Sequence, residues 1–354
     1  MIGERGENLV FLISQPRAGS TLFQRVLAAH PRIATASEPW VMLHPLYALR
    51  KTGHDADYNA ELAHAALQAL LKETPGGEAD YDEGLRRMWT HLYSRVLEKA
   101  GTGRTHFVDK TPRYYLVIPE LLRVFPAATV IVLMRNPLAV LCSLVSSWAE
   151  GGRLHHLQRW RGDLWDAPRL LVEGGRAVGE RGLVIRYEAF LAEPEATAST
   201  VCQRIGVEYD PSMLDYGRTD LPVWEFGDKK NVYKGGRPNV ANAERWTADL
   251  ADAQVWRLCD EYLRGLGREL VEAMGYSFDT LRQTLDQHKP RRGFTWTQSM
   301  AWLSTPAVKR RRLKHGFIRW SYLVRQRGVV HALGMACRKG LRGAADEQAG
   351  NNAP

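Results

Sequence analysis

The segment NLVFLISQPRAGSTLFQRVLAAHP, residues 8–31, constrains the fold more than any other stretch. It begins with a short apolar run typical of a buried strand, and it ends with Leu22, Val26 and Ala29 spaced along one face of a helix. The turn between them, QPRAGST, nearly matches the nucleotide-binding P-loop. A strand, a tight turn and a helix in this order leave free backbone amides and the positive helix end in the turn, where an anion can bind.

The turn departs from the P-loop at one position. Aligned on that motif, Gly19 and Thr21 take the second glycine and the Ser/Thr, but Ser20 stands where the lysine belongs. A nucleoside triphosphatase without this lysine lacks its clamp on the β and γ phosphates. Arg17, inside the loop, carries the positive charge instead. An ordinary strand-turn-helix with a surface arginine has the same pattern, so the turn alone leaves its ligand open.

Three further apolar runs alternate with segments of helical spacing. These runs are THFVDKTP, ATVIVLMRNP and GLVIRYEAF. A helix is predicted for Tyr114–Phe125, and a strongly helical segment is predicted for Thr247–Met274. Strands that alternate with helices are joined by right-handed crossovers into a mainly parallel sheet. The sequence therefore predicts an α/β, doubly wound fold with a P-loop-like strand-turn-helix, whose ligands bind at the carboxyl ends of the strands.

Charge divides the chain into a near-neutral body and a basic end. The net charge is +9, but fourteen Lys or Arg and three Asp or Glu lie from position 283 onward, so that part carries +11 and the rest carries −2. We predict a main domain over 1–282 with a helical insertion at about 47–100, a basic aromatic helical extension over 283–342 and a disordered tail over 343–354. The extension suits a helix docked on the body, an anionic membrane or a lipid-linked substrate. No nucleic-acid-binding motif accompanies its charge, so nucleic acid is not the expected partner.

The cysteines and the N-terminus indicate the compartment. Four cysteines, Cys142, Cys202, Cys259 and Cys337, lie far apart without a CxxC pair, which is typical of reduced, packed thiols and argues against a cysteine zinc site. The sequence has no run of eighteen apolar residues and no signal-peptide pattern. We therefore expect a cytoplasmic protein, with peripheral attachment at the inner membrane face open to its basic end.

A second anion-type turn follows the run ATVIVLMRNP. Arg135 stands at the end of the predicted strand, and Ser143 lies inside the following helix. The guanidinium can fork onto phosphate oxygens, and the hydroxyl can add another hydrogen bond. Two such strand ends in one sheet, neither of which completes a nucleotidase motif, favour a ligand with phosphates at two places.

At this point the motifs resemble a known family. PRAGST before a helix and RNPLAVLCS after a strand resemble the 5′- and 3′-phosphate-binding motifs of sulfotransferases, which use 3′-phosphoadenosine 5′-phosphosulfate (PAPS). DKTP, VIRYEAFLAEPEATASTVCQRIGV and ERW are similar to the bacterial and tyrosylprotein branch of that family. The resemblance runs from about Asn8 to Tyr276 and departs in the middle insertion, where acceptors are chosen. It implies a PAPS-dependent sulfotransferase that requires no metal.

The resemblance also implies roles for single residues. The residues that it places around the nucleotide are Arg17, Ala18, Gly19, Ser20 and Thr21 at the 5′-phosphosulfate, Lys110 at the bridging oxygen and sulfonate, Arg135 and Ser143 at the 3′-phosphate, and Arg245 near the nucleotide. The loop DKKNVYKGGR stands where the family has a mobile lid, so the candidates for closing over the cofactor are Lys229, Lys230, Lys234 and Arg237. A plain solvated loop has the same composition.

Glu38 in TASEPW is the candidate base, and Lys110 and Arg17 complete the predicted catalytic set. The tyrosylprotein-like branch carries a glutamate at this place, where a second strand would return the chain to the same edge of the sheet. Sulfonate transfer is an in-line displacement that fixed cations assist, and a carboxylate can take the acceptor's proton. The alternatives are that Glu38 caps a helix or pairs with a lysine, or that a histidine is the base: His30, His44 or His106.

The acceptor and the rival functions stay open at the sequence level. A hydroxyl or an amine on a glycan, a lipid, a natural product or a tyrosine side chain all suit the predicted chemistry. Trp40, Trp89 and Tyr93 have the shape to stack on a ring, although aromatic residues at such spacing also build cores. The rival readings are a P-loop nucleotide kinase or related phosphotransferase and a non-catalytic nucleotide-binding module.

Overall fold

A five-stranded parallel sheet forms the centre of the protein. The computed structural model describes residues 1–53, 56–148, 154–219, 221–227 and 235–290. In these ranges the strands are β1 (Leu9–Ser14), β2 (Ile33–Thr35), β3 (His106–Lys110), β4 (Thr129–Met134) and β5 (Gly182–Arg186). They lie in the order β2-β3-β1-β4-β5, and every neighbouring pair is parallel. The predicted α/β fold with a mainly parallel sheet is confirmed.

The α-helices connect the strands and follow the last one. In the described ranges they are α1 (Ser20–Ala29), α2 (Leu43–Ala48), α3 (Ala60–Lys72), α4 (Glu78–Lys99), α5 (Ile118–Val124), α6 (Pro137–Trp148), α7 (Ala167–Val178), α8 (Tyr187–Ala192), α9 (Pro194–Ile205), α10 (Ala253–Leu266), α11 (Arg268–Ala273) and α12 (Phe278–Gln287). No helix among the described residues is long and apolar enough to cross a bilayer.

The hydrophobic core lies on both faces of the sheet. Successive side chains of a strand point to opposite faces, and β1 shows this directly. Phe11 and Ile13 pack in one buried cluster with residues of α5 and α7, whereas Val10 and Leu12 pack in a second cluster with residues of α1 and α9. Both faces are therefore covered, which is why the strands are almost continuously apolar.

One predicted helix is interrupted, and one predicted helical segment consists of several shorter helices. The predicted helix Tyr114–Phe125 is a 3₁₀ turn, Pro112–Leu116, followed by α5. The break lies at Val117, and Pro119, in the first turn of α5, contributes to it because proline has no N–H to donate to the preceding turn. The predicted helical segment Thr247–Met274 contains the end of a 3₁₀ helix, α10 and α11, and Gly267, at φ 77°, separates α10 from α11.

The predicted helical insertion and the predicted domain boundary can be located in the structure. Helices α2, α3 and α4 occupy the chain between β2 and β3, where the helical insertion is predicted. The predicted domain boundary at 282/283 falls inside α12, where Trp256 Nε1 donates to the carbonyl oxygen of Leu285 at 2.7 Å and Arg282 pairs with Asp260. Several predicted features lie outside the described residues: the lid lysines Lys229, Lys230 and Lys234, Cys337 and the basic extension beyond 290. The fourth lid candidate, Arg237, is described and forms an ion pair with Asp215 at 3.3 Å.

Candidate active site

A large cavity opens at the carboxyl ends of the strands. Its volume is about 1870 Å³, above the range of about 300–1000 Å³ that is usual for a site holding one small ligand. The predicted site residues that line it are Arg17, Gly19, Ser20, Thr21, Glu38, Arg135, Ser143 and Arg245. Ala18 and Lys110 are fully buried next to it rather than in its wall. The fold thus brings most of the predicted residues to one place.

The turn after β1 is shaped by Gly19. This residue has φ 92°, a left-handed conformation that favours glycine, and it directly precedes α1. A Cβ at this position would lie 2.3 Å from the ring of Tyr187, the first residue of α8. Only glycine therefore allows the loop to pack on Tyr187. The first amides of α1, beside Ser20 and Thr21, lack partners within the helix and begin at the cavity wall.

Hydrogen bonds connect the residues of the two predicted phosphate sites. Arg17 Nε donates to Ser143 Oγ at 3.1 Å, and Arg135 Nη1 donates to the carbonyl oxygen of Arg17 at 2.9 Å. The Arg135 guanidinium also lies 4.7 Å from the ring centre of Tyr187. Arg17 has φ 70°, which is uncommon for a residue with a side chain. The loop after β1 and the turn after β4 consequently form one continuous cationic wall.

Lys110 and Glu38 form a buried ion pair at the ends of β3 and β2. Lys110 Nζ lies 2.6 Å from Glu38 Oε1; the lysine side chain is 0% exposed and the glutamate side chain 11%. The second carboxylate oxygen of Glu38 accepts a hydrogen bond from Trp40 Nε1 at 3.1 Å. Burial lowers the pKa of Lys110, and the negative charges of Glu38 and Asp109 act in the opposite direction. The candidate base is thus held at both of its oxygens.

A second carboxyl group, Asp109, is buried beneath this pair. Its oxygens accept hydrogen bonds from the hydroxyls of Tyr93 at 2.5 Å, Thr111 at 2.8 Å and Tyr114 at 3.1 Å. Burial raises the pKa of Asp109 to about 6; the three hydroxyls act against this rise, and the charge of Glu38 adds to it. The sequence motif DKTP therefore holds a buried acid next to a buried lysine.

Part of the cavity wall was not predicted from the sequence. Arg113 lies 5.0 Å from the ring centres of both Trp40 and Trp160, and it forms an ion pair with Asp163 at 2.5 Å. Trp160 in turn lies 4.2 Å from Trp148. Arg113 directly follows DKTP, so its position after a strand could have predicted that it lies near the site. Asp163 lies in a π-helical turn far along the chain and has no local signal.

The alternative candidates lie elsewhere. His30 Nε2 is 2.8 Å from the carbonyl oxygen of Glu208, and of the described histidines neither His30, His44 nor His106 lines the cavity. Within the residues described, no three His, Cys, Asp or Glu side chains are grouped as a metal site. Cys142, Cys202 and Cys259 are buried free thiols, and burial raises the pKa of Cys202 to about 11.

The fold and the cavity define an α/β protein of the P-loop-like class, with a cationic wall at the strand ends. The family model described as the sulfotransferase family matches residues 10–211, more than half of the chain. The chain therefore belongs to the sulfotransferase family. This confirms the family resemblance inferred from PRAGST, RNPLAVLCS and DKTP.

Similar proteins include the nodulation protein NoeE of Sinorhizobium fredii, which is 28% identical over 293 residues, or 76% of this chain. The match covers 66% of NoeE, just under two thirds of its length. A putative protein-tyrosine sulfotransferase of Caenorhabditis briggsae is 22% identical over 62% of this chain and 75% of that protein. Among solved structures, the sulfotransferase domain of the olefin synthase of Synechococcus PCC 7002 is 21% identical, with a TM-score of 0.49, over 76% of this chain and 94% of that domain.

Proposed function

We propose that this protein transfers a sulfonate group from PAPS to a hydroxyl, or an amine, of an acceptor. The observation that carries the proposal is the single cavity in which Arg17, Ser143 and Arg135 are linked by hydrogen bonds, with the Lys110–Glu38 pair at the same edge of the sheet. Membership of the sulfotransferase family supports the reaction class.

Buried donors in the wall support an anionic ligand. Arg135 Nε and Trp246 Nε1 are buried, and neither has a hydrogen-bond partner in the part of the chain that the structure describes. Both residues line the cavity. Buried donors without partners are rare in proteins, and a role in ligand binding is one reason for them. Phosphate and sulfonate oxygens accept several charge-assisted hydrogen bonds, so this donor set fits a nucleotide with two phosphate positions.

The residues divide into two groups along the nucleotide. We assign Ser20, Thr21 and the first amides of α1 to the 5′-phosphosulfate, where a helix N-terminus favours negative charge. Arg17 neutralises the charge that builds on the leaving phosphate. Arg135 and Ser143 hold the 3′-phosphate, and Arg245 lies at the exposed rim of the cavity.

Glu38 acts as the general base. Its carboxylate takes the acceptor proton while the bond from sulfur to the acceptor oxygen forms and the bond from sulfur to the leaving phosphate oxygen breaks. In the structure Lys110 holds Glu38 Oε1 at 2.6 Å. In this proposal Lys110 moves from the carboxylate to the sulfonate as Glu38 accepts the proton, which couples the two predicted catalytic residues.

The acceptor binds beside Glu38 in this proposal. Trp40, Trp148 and Trp160 line that side of the cavity, and the volume of about 1870 Å³ has room for a donor and an acceptor together. Glycans, lipids and natural products with a hydroxyl group are the acceptor classes to compare.

The basic extension acts outside the donor site in this proposal. Truncation after Pro290 should therefore leave the nucleotide affinity unchanged. A large loss of affinity would contradict that role.

Calorimetry with 3′-phosphoadenosine 5′-phosphate and with ATP tests the donor. We expect the bisphosphate to bind and ATP to bind far more weakly, because Ser20 replaces the P-loop lysine. Binding of ATP without binding of the bisphosphate would contradict the proposal and favour a nucleotide kinase. Transfer of labelled sulfate to a panel of glycan, lipid and phenolic acceptors then tests catalysis, and bisphosphate binding without any transfer would favour a non-catalytic module.

A further inference from the structure

Trp40 has a backbone conformation that needs support from its surroundings. It has φ 57°, and the only other residue with a side chain at positive φ in the described ranges is Arg17. Such conformations cost of order 1–3 kcal/mol for a bulky residue, and they persist where the surrounding structure enforces them. Both residues line the candidate active site.

The indole of Trp40 is held from two sides. Its Nε1 donates to Glu38 Oε2 at 3.1 Å, and its ring centre lies 5.0 Å from the guanidinium carbon of Arg113. The backbone N–H of Trp40 points to Thr111 Oγ1 at 3.4 Å. The indole therefore bridges the Glu38 carboxylate and the Arg113 guanidinium.

Arg113 is itself clamped. Its Nε lies 3.0 and 3.2 Å from the two carboxylate oxygens of Asp163, and its Nη2 lies 2.5 Å from one of them. Asp163 is 3% exposed and also accepts a hydrogen bond from the hydroxyl of Tyr115 at 2.7 Å. The carbonyl oxygen of Asp163 accepts from Gln15 Nε2 at 2.8 Å, just before the phosphate loop. Asp163 thus connects Arg113, near Glu38, with Gln15, which precedes the phosphate-binding turn after β1.

Stability alone does not explain this ion pair. Replacing a buried ion pair with well-packed apolar residues is often neutral or stabilising, because removing two charges from water costs about as much as their attraction returns. The planar guanidinium fork nevertheless fixes direction in a way that a lysine or an apolar side chain does not. Orientation of Trp40 is a role that uses this property.

We propose that Arg113 and Asp163 are positioning residues that act through Trp40 on the Glu38 carboxylate. The inference rests on the proposed role of Glu38 as the base. The effect of Arg113 on the Trp40 indole can be measured separately, because the hydrogen bond from the indole to Glu38 exists whether or not the protein transfers sulfonate.

The first test follows the indole N–H of Trp40 by heteronuclear NMR in the full chain, with the resonance assigned from Trp40→Phe. We expect the resonance to shift in Glu38→Gln and in Arg113→Lys, which keeps the charge but loses the fork. The matched control is Arg169→Lys, which alters an exposed pair with Glu173 at 2.7 Å. If Arg113→Lys does not fold, Asp163→Asn provides the same readout. An indole resonance that is unchanged in the folded variant overturns the proposal.

The second test is a double-mutant cycle on turnover. We expect Arg113→Lys and Trp40→Phe each to lower kcat by about 10-fold, and the double variant to lose about 10-fold rather than about 100-fold, because residues acting in one chain of contacts are not additive. The affinity for 3′-phosphoadenosine 5′-phosphate should stay unchanged in all three. Additive losses overturn the proposal. A shifted indole resonance in a protein that transfers no sulfonate would contradict the proposed function and leave the positioning role intact.

Discussion

Lys110 Nζ lies 2.6 Å from Glu38 Oε1, and this ion pair joins the ends of two neighbouring strands, β3 and β2, in a buried place. The lysine has no exposed surface, and the carboxylate is also held by Trp40 Nε1. A buried charge depends strongly on its partner, because neither water nor salt replaces the lost interaction. The pair therefore makes separate contributions to stability and to the proposed chemistry.

Glu38→Gln and Glu38→Ala should separate these two contributions. We expect Glu38→Gln to lower turnover by about 100-fold or more, since the amide cannot take a proton, with bisphosphate affinity unchanged. Glu38→Gln also removes the charge that pairs with Lys110, but it keeps an oxygen that accepts the lysine's hydrogen bond. Glu38→Ala removes both, and it should lower the free energy of unfolding by about 3–5 kcal/mol, more than Glu38→Gln does. Turnover assays and chemical denaturation measure the two effects. The control is Glu225→Gln at the exposed rim of the cavity, and full activity of Glu38→Gln would show that another group is the base.

Arg135→Ala should weaken binding of 3′-phosphoadenosine 5′-phosphate by about 10- to 100-fold, the worth of a lost hydrogen bond to a charged group. Binding of adenosine 5′-phosphate, which has no 3′-phosphate, should change much less. Calorimetry with both nucleotides measures the difference. Arg186→Ala is the control, because Arg186 ends the neighbouring strand β5 and donates to the carbonyl oxygen of Gly275 instead. Equal losses for both nucleotides would contradict the assignment of Arg135 to the 3′-phosphate.

Asp109 should make stability fall as the pH rises between about 4 and about 6. Its pKa is raised from 3.8 to about 6 by burial, so the folded state keeps the proton that the unfolded state has already released. The stabilisation is complete below the unfolded pKa and is lost as the pH rises to the folded one, by roughly 3 kcal/mol for a shift of about two pKa units. Denaturation of the wild type and of Asp109→Asn across this range measures it. Parallel stability curves for the two proteins would contradict the raised pKa.

Gly227→Ala should disturb the donor side of the cavity. A Cβ at this glycine, which has φ 117°, would lie 2.8 Å from Thr21 Oγ1 and 3.4 Å from Lys110 Nζ. The matched control is Gly103→Ala, at φ 98°, where a Cβ meets nothing within 4 Å. We expect both variants to lose about 1 kcal/mol of stability from the backbone conformation, and Gly227→Ala alone to lose bisphosphate affinity, by about 10-fold. Calorimetry measures the affinities and thermal unfolding measures the stabilities. Equal affinities in the two variants would contradict the expected displacement of Thr21 Oγ1.

The strand-turn-helix at residues 8–31 and the cationic position of Arg135 after β4 were predictable from the sequence. Both depend on local signals: an apolar run, a glycine in a turn and the start of a helix. Pro119 and Gly267 can be read directly from the sequence, but the helical spacing on either side of each residue favoured uninterrupted helical structure. Periodicity reports which face is buried and does not report where a backbone hydrogen bond is lost.

The sequence by itself determined the alternation of strands and helices, and with it the edge of the sheet at which ligands bind, because these follow from hydrophobic periodicity and turn chemistry. Only the tertiary structure decided which side chains meet there. Arg17 bonds to Ser143 across 126 positions, Lys110 to Glu38 across 72, and Arg113 to Asp163 across 50. Contacts over such separations depend on the order of the strands and on the packing of both faces, and neither is encoded in the neighbouring residues.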